Sequence, residues 1–347
     1  MKKLLVLTTL ALCLLLLCSG AAMAKTYKLA WSHYTGWEPW AYAQDHGIMK
    51  KWADKYGIKV EIVLINDYIE SINLYTAGAY DACTMTNLDA LTIPAVGGVD
   101  STALIVGDFS NGNDGIVATG AADVKSLKGQ EGLLVELSVS HYLLARALDQ
   151  NGLTERDVKL VNTSDADIAS VYTSKPKGFV VTWNPLLMQV MNIPGATTVF
   201  DSSNIPGEII DLTVVRTDAP ESLKKALTGA WFETMAIMSG RGAKSGEAID
   251  FMARAAGSTP AEFKAQLKTT AMFYQAKDAV DFTRSPQLKQ TMERVRDFSF
   301  DKGLYAGASS KDFVGIAFPD GSVLGDKRNI KLRFDAEIMN QAAAGQL

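Results

Sequence analysis

The chain alternates short apolar runs with amphipathic segments of helical length, and this order limits the folds open to it more than any other feature. Residues 27–31 read as a strand, 40–56 as a helix with Trp40, Ile48 and Trp52 on one face, 60–65 as a strand and 67–77 as a helix. A strand at 82–85, a helix at 87–96 and a strand at 103–107 continue the rhythm. Strands separated by helices pair mostly in parallel, with the helices packed on both faces of the sheet.

A second series begins after the polar, turn-rich string Asn111-Gly112-Asn113-Asp114-Gly115, which suits a crossover between units. Strands are expected at 116–119, 133–136, 158–162, 179–182 and 197–200, with helices between them such as 140–150. Residues 209–215 form an apolar strand interrupted by Asp211, and beyond Pro220 the pattern is helical, at 221–239, 246–256, 261–268 and 287–301. The fold class that follows is α/β, with two lobes of parallel or mixed sheets around a central cleft and a helical C-terminal part. Lobe one is expected to comprise 25–112 and 217–347, and lobe two 113–216.

The first 24 residues stand apart. Met1-Lys2-Lys3, an apolar run over 4–17 and a small-residue end at Ala22-Met23-Ala24 have the order of a cleaved secretory signal, which places the mature protein in a periplasm. Cys18 offers a lipoprotein alternative, but Leu15-Leu16-Leu17 lacks the small residue expected beside an acylated cysteine. The whole chain carries a net charge of −4, and loss of Lys2 and Lys3 makes the exported part more acidic. An acidic chain without a basic cluster argues against nucleic acid and against an anionic membrane surface. Cys83 is left as the one cysteine of the exported part, so no internal disulfide is possible. His33, His46 and His141 have no metal-ligand spacing, and no nucleophile motif is present, so neither a metal, a cofactor nor catalysis is expected.

In open parallel sheets ligands bind beyond the carboxyl ends of the strands. Those ends here supply Trp37-Glu38, Asp67, Asn87, then Glu136 with Ser138, Ser140 and His141, then Trp183, and Asp211 inside the returning strand. The set is aromatic and acidic, with amides and hydroxyls but no Lys or Arg. Trp40 fits a core position and Trp37, without a periodic partner, a ligand wall. Ser138 and Asn87 also suit helix N-caps. Asp211 among Ile209, Ile210 and Leu212 is costly to bury without a partner, for which Arg216 is one structural candidate.

On these residues the chain resembles the periplasmic substrate-binding proteins of ABC importers, in the nitrate/sulfonate/taurine-type group. The pattern comprises Trp37-Glu38-Pro39 opening a helix, Ala77-Gly78-Ala79-Tyr80-Asp81-Ala82 leading into a strand, and Ser-Leu-Lys-Gly at 126–129. It continues with Ser140-His141-Tyr142, Asn151-Gly152-Leu153, Trp183 with Pro185, and Asp211 followed by Val214-Val215-Arg216. It spans residues 27 to about 235. The resemblance implies a type II periplasmic binding protein that closes on its ligand, acting as a monomer with a membrane permease. It places Trp37-Glu38, Ser138 to His141, Trp183 and Asp211 at the cleft, and in taurine-type members the acid matching Asp211 is expected to meet an ammonium group. Glu136 departs from the family, where an apolar residue is usual.

The charge balance narrows the ligand. Sulfonates and nitrate need cations or N–H groups, whereas Glu38, Asp67, Glu136 and Asp211 would repel them. A small planar cation fits, because guanidinium takes paired hydrogen bonds from carboxylates and stacks on tryptophan. The chain is similar to the urea-carboxylase-associated subset, whose ligand class is a small nitrogen-rich solute: guanidine first, urea second. The alternatives are a pyrimidine, a sulfonate such as taurine, or nitrate. An enzyme of the thiamin-pyrimidine synthase type is disfavoured by export and by the lack of a cysteine-rich motif.

Overall fold

A computed structural model describes residues 25–347. The expected signal segment and Cys18 lie outside the described residues. Two sheets form. The larger takes β1 (Thr26–Trp31), β2 (Lys59–Leu64), β3 (Ala82–Thr86), β4 (Ser101–Ser110) and, from far along the chain, other strands described below. The smaller takes β5 (Asp114–Thr119), β6 (Glu131–Leu134), β7 (Lys159–Asn162), β8 (Phe179–Trp183) and β9 (Ala196–Asp201), in the order β7-β6-β8-β5-β9. Parallel pairing joins β1 to β2 and β3, and β6 to β7 and β8, as strands separated by helices require.

The returning strand β10 (Ile210–Arg216) runs antiparallel between β3 and β4 of the larger sheet, with Asp211 opposite Asp108 in register. This corrects the expected boundary of lobe two at residue 216. Residues 210–215 of β10 are buried on both faces, which a strand between two paired neighbours provides and a hinge crossing does not. The C-terminal part is not helical throughout. After the helices Glu221–Ser239, Ala243–Ala255 and Pro260–Leu267 it adds β11 (Thr270–Met272) on β4, then β12 (Gly315–Ala317), β13 (Val323–Leu324) and β14 (Ile330–Phe334), extending the sheet beyond β4. These strands are two to five residues long, too short for their alternation to stand out in sequence.

The expected helix at 40–56 is two helices, Pro39–Asp45 and Ile48–Lys55. Gly47 at φ 72° breaks it, in a left-handed conformation open to glycine at no steric cost. Trp40 is fully buried with its ring centroid 5.1 Å from that of Trp231, so it belongs to the core of the larger lobe.

The chain crosses between the lobes after β4 and again between β9 and β10. Ser202 ties the two crossings together: its Oγ lies 2.7 Å from Ser110 Oγ and accepts the Gly112 N–H at 2.7 Å. Farther along the second crossing, Glu208 accepts hydrogen bonds from Tyr142 and Arg146 of the smaller lobe and from Arg294 of the long helix Pro286–Asp301. Both crossings are thus fixed at their ends.

Candidate functional site

The lobes meet around a small cavity of about 240 Å³. Tyr34 and Trp37 come from the loop after β1, Tyr68 and Thr86 from the ends of later α/β units, and Asp211 from β10. Across from them stand Asp114 at the start of β5, Trp183 at the end of β8 and Val139 at the first turn of a helix. Hydrogen bonds close the rim: Trp183 Nε1 donates to His33 O at 3.0 Å and the Thr35 N–H to Asn184 O at 3.2 Å. On another side the Tyr68 N–H donates to Asp165 Oδ1 at 3.1 Å and the Ser164 hydroxyl to Asp67 Oδ2 at 2.6 Å. This is a closed arrangement.

The aromatic rings brace one another. Tyr68 lies 5.7 Å from Trp37 and 5.5 Å, edge to face, from Trp183, while Tyr34 meets Trp37 at 5.0 Å. Such pairs fix ring orientation as well as burying area. Gly36 makes the turn possible, since a Cβ there would stand 2.4 Å from the Tyr34 ring and 2.5 Å from Asp108 Oδ2.

The charge is one-sided. Asp108, Asp114 and Asp211 are all buried, and no Lys or Arg lines the cavity. Tyr34 donates to Asp108 Oδ1 at 2.9 Å, while Asp108 Oδ2 and Asp211 Oδ2 are buried with no N–H or hydroxyl donor, and the two carboxyl groups stand within hydrogen-bonding reach of each other. Burial pushes Asp108 up to about 7, the hydroxyl of Tyr34 opposing it. Burial likewise takes Asp114 up to about 7, with a Ser110 hydrogen bond opposing. Asp211 rises well above the usual carboxylate range through burial and then the nearby Asp108 and Asp114. Arg216, the partner considered from sequence, makes no ion pair with Asp211 among the described residues. Ionising all three together without a cation would be expensive.

Of the residues singled out in the sequence, Trp37, Trp183 and Asp211 share the cavity wall. Glu38 sits behind it, fully buried, with Oε1 2.7 Å from His33 Nδ1 and Oε2 unpartnered; burial raises it and His33 pulls it back. Asp67 caps the helix Tyr68–Thr76 and holds the rim latch to Ser164, outside the cavity. Asn87 is structural: its side chain donates to Glu208 O and accepts the Ile210 N–H, tying β10 down. Glu136 lies half-exposed in an outer groove with Asp67 and Asp165. Ser138 caps the helix Val139–Gln150, and Ser140 is buried there with its Oγ unpartnered. His141 is engaged elsewhere, accepting the Leu137 N–H at 3.1 Å and pairing with Glu155 at 2.8 Å. Asp108 and Asp114 went unnoticed in the sequence. Asp108 ends an apolar strand, the same signal that drew attention to Asp211, whereas Asp114 is hidden in a string that reads as a turn. Among the described residues no group of three or more His, Cys, Asp or Glu is placed to hold a metal ion.

No protein-family model and no curated protein sequence matches the chain. Solved structures do. The alkanesulfonate-binding protein SsuA from Xanthomonas axonopodis pv. citri, bound to MOPS, superposes with a TM-score of 0.67 over 82% of this chain and 96% of its own, at 14% identity. The fold is that of the periplasmic binding proteins. The aliphatic sulphonate binding protein SsuA from Escherichia coli gives 0.64 at 16% identity over 81% of this chain and 94% of its own. The nitrate-binding protein NrtA from Synechocystis PCC 6803 gives 0.57 at 12% identity over 92% of this chain and 99% of its own. Likeness at such identities is a likeness of fold, and the ligands in those names belong to those proteins.

Proposed function

We propose that this chain is an exported solute-binding protein that delivers a small nitrogen-rich cation, guanidinium first, to the permease of an ABC importer, and that it is not an enzyme. The observation that carries the reading is the buried carboxylate group of Asp108, Asp114 and Asp211, two of whose oxygens meet no N–H, hydroxyl or cation of the described residues. A flat cation with N–H donors around its rim supplies what those oxygens lack, and charge-assisted bonds to carboxylates are the strong ones. Trp37 and Trp183 offer rings on which such a cation is attracted. The small free space suits a solute of a few atoms. The sequence reading named Glu38 and Glu136 as further ligands; Glu38 now serves better as a buried support behind Trp37, and Glu136 and Asp67 as part of an acidic approach.

Urea is the second reading, favoured by the same small space and by its ability to use the same acceptors with the acids protonated. A sulfonate or nitrate would have to replace water beside three carboxylates with no Lys or Arg in reach. Calorimetry with guanidinium, urea, taurine and nitrate on the purified mature protein tests the proposal. Guanidinium should bind tightest. Tight taurine or nitrate binding without guanidinium binding would refute it.

A further inference from the structure

Two bonds across the rim end on the backbone of one short loop: Trp183 Nε1 reaches His33 O, and the Thr35 N–H reaches Asn184 O. Residues 32–34 of that loop lie in neither helix nor strand, so side chains must hold it. Thr35 is tied by its hydroxyl to Gln266 Oε1 at 3.0 Å and Tyr34 by its hydroxyl to Asp108. His33 is tied by its ring alone, with Nδ1 2.7 Å from Glu38 Oε1 and no other side-chain hydrogen bond among the described residues. Glu38 stands at the N-cap of the helix Pro39–Asp45, yet its side chain does not cap that helix, and it is absent from the cavity wall. It is fully buried, whereas the His33 side chain is 31% exposed.

A buried carboxylate is costly unless it is paired, and here the His33 ring is the partner. Against the effect of burial, the bond to Glu38 and its charge, then the charge of Asp165, raise His33 above the usual histidine value. We propose that Glu38 is a positioning residue of the closing latch: through the His33 ring it holds the His33 carbonyl where the Trp183 indole can reach it. A buried acid of one lobe thereby sets the strength of a bond that the other lobe makes across the cleft. The inference rests on the cleft being the ligand site but holds whether the ligand is a cation or neutral.

The test is a double-mutant cycle read by calorimetry with guanidinium, on the wild type, Glu38→Met, Trp183→Phe and the double variant. Phe keeps a ring at position 183 and removes the indole donor. Glu38→Met should weaken binding at least about tenfold when Trp183 is present, and less than about twofold in the Trp183→Phe background, where the bond it supports is already gone. Equal losses in both backgrounds would assign Glu38 to packing alone and overturn the proposal. Failure of guanidinium to bind the wild type refutes the cation reading alone, and urea then serves as the probe in the same cycle. Where the cycle yields no measurable heat, or a variant does not fold by circular dichroism, the indole N–H resonance of Trp183 decides. It is followed against pH in labelled Asp165→Asn protein, in which the other acid acting on His33 no longer titrates. The resonance should shift with the same midpoint as the His33 ring protons, and an indole indifferent to the His33 titration would overturn the proposal.

Discussion

Replacing Asp211 by Asn separates a ligand carboxylate from a merely structural one, because two measurements should move in opposite directions. Asp211 is 2% exposed, faces Asp108 in register and has an oxygen with no N–H or hydroxyl donor. Asn keeps the shape and removes the charge. If a cation completes the site, the substitution takes away one partner of a buried pair, a loss of about 3–5 kcal/mol. That corresponds to a Kd for guanidinium weaker by about two to three orders of magnitude. In the ligand-free protein the same change relieves repulsion among buried acids, so stability at pH 8 should rise. A gain of about 1–2 kcal/mol would raise Tm by a few degrees, since about 2–4 °C accompany each kcal/mol in domains of 150–250 residues. Calorimetry and thermal unfolding on the same preparations check both. An unchanged Kd, or a ligand-free protein destabilised more at pH 8 than at pH 5, would refute the view of Asp211 as an unpaired charge.

Further outcomes follow from the same geometry. Asp108 and Asp114 are held up to about 7 by burial, so the stability they contribute is complete below the ordinary aspartate range near 3.8 and is lost as pH rises through about 7. The ligand-free Tm should therefore fall between pH 4 and pH 8, while the rise in Tm on adding guanidinium should be larger at pH 8 than at pH 5; a pH-independent rise would count against proton–cation competition. Trp183→Ala removes a cavity ring and the rim bond to His33 O and should weaken guanidinium binding by about 1–2 kcal/mol, read by calorimetry. Gly36→Ala should drive Tyr34 off Asp108, lowering affinity at least about tenfold while circular dichroism stays native; unchanged affinity would show that the Tyr34–Asp108 bond does not shape the site.

The alternation that sequence reveals is a property of long elements, and those it predicted form close to where expected: β1, β2, β8 and the helix after Ser138. The elements it missed are short or broken by backbone rather than side-chain chemistry. Strands of two to five residues near the C-terminus have no periodicity to read, and Gly47 splits a helix whose apolar face runs on across the break. For the site, the tryptophans and Asp211 were legible because each violates its surroundings, an acid in an apolar strand or a large ring beside Gly and Pro. Asp114 violates nothing locally, and its burial comes from the lobe that folds over it. Asp67, Glu136 and His141 stand at strand ends as the rule requires, but the rule fixes height above the sheet and not direction, so they face the rim or the neighbouring helix.

On the proposed cation reading, the placement of the three buried acids gives lobe closure its condition. Asp108 and Asp114 flank the first crossing between the lobes and Asp211 follows the second, so the charge is concentrated at the pivot. With the lobes apart, water would solvate these carboxylates and restore their ordinary acidity. Closing an empty cleft at neutral pH then demands either proton uptake, the direction in which burial moves Asp108 and Asp114, or three desolvated charges with nothing to balance them. A cation entering the cleft removes that cost, while the bonds at the rim, from Trp183 to His33 and from Tyr68 to Asp165, are available in every case. On the proposed reading the rim supplies the strength of closure and the pivot decides when it happens.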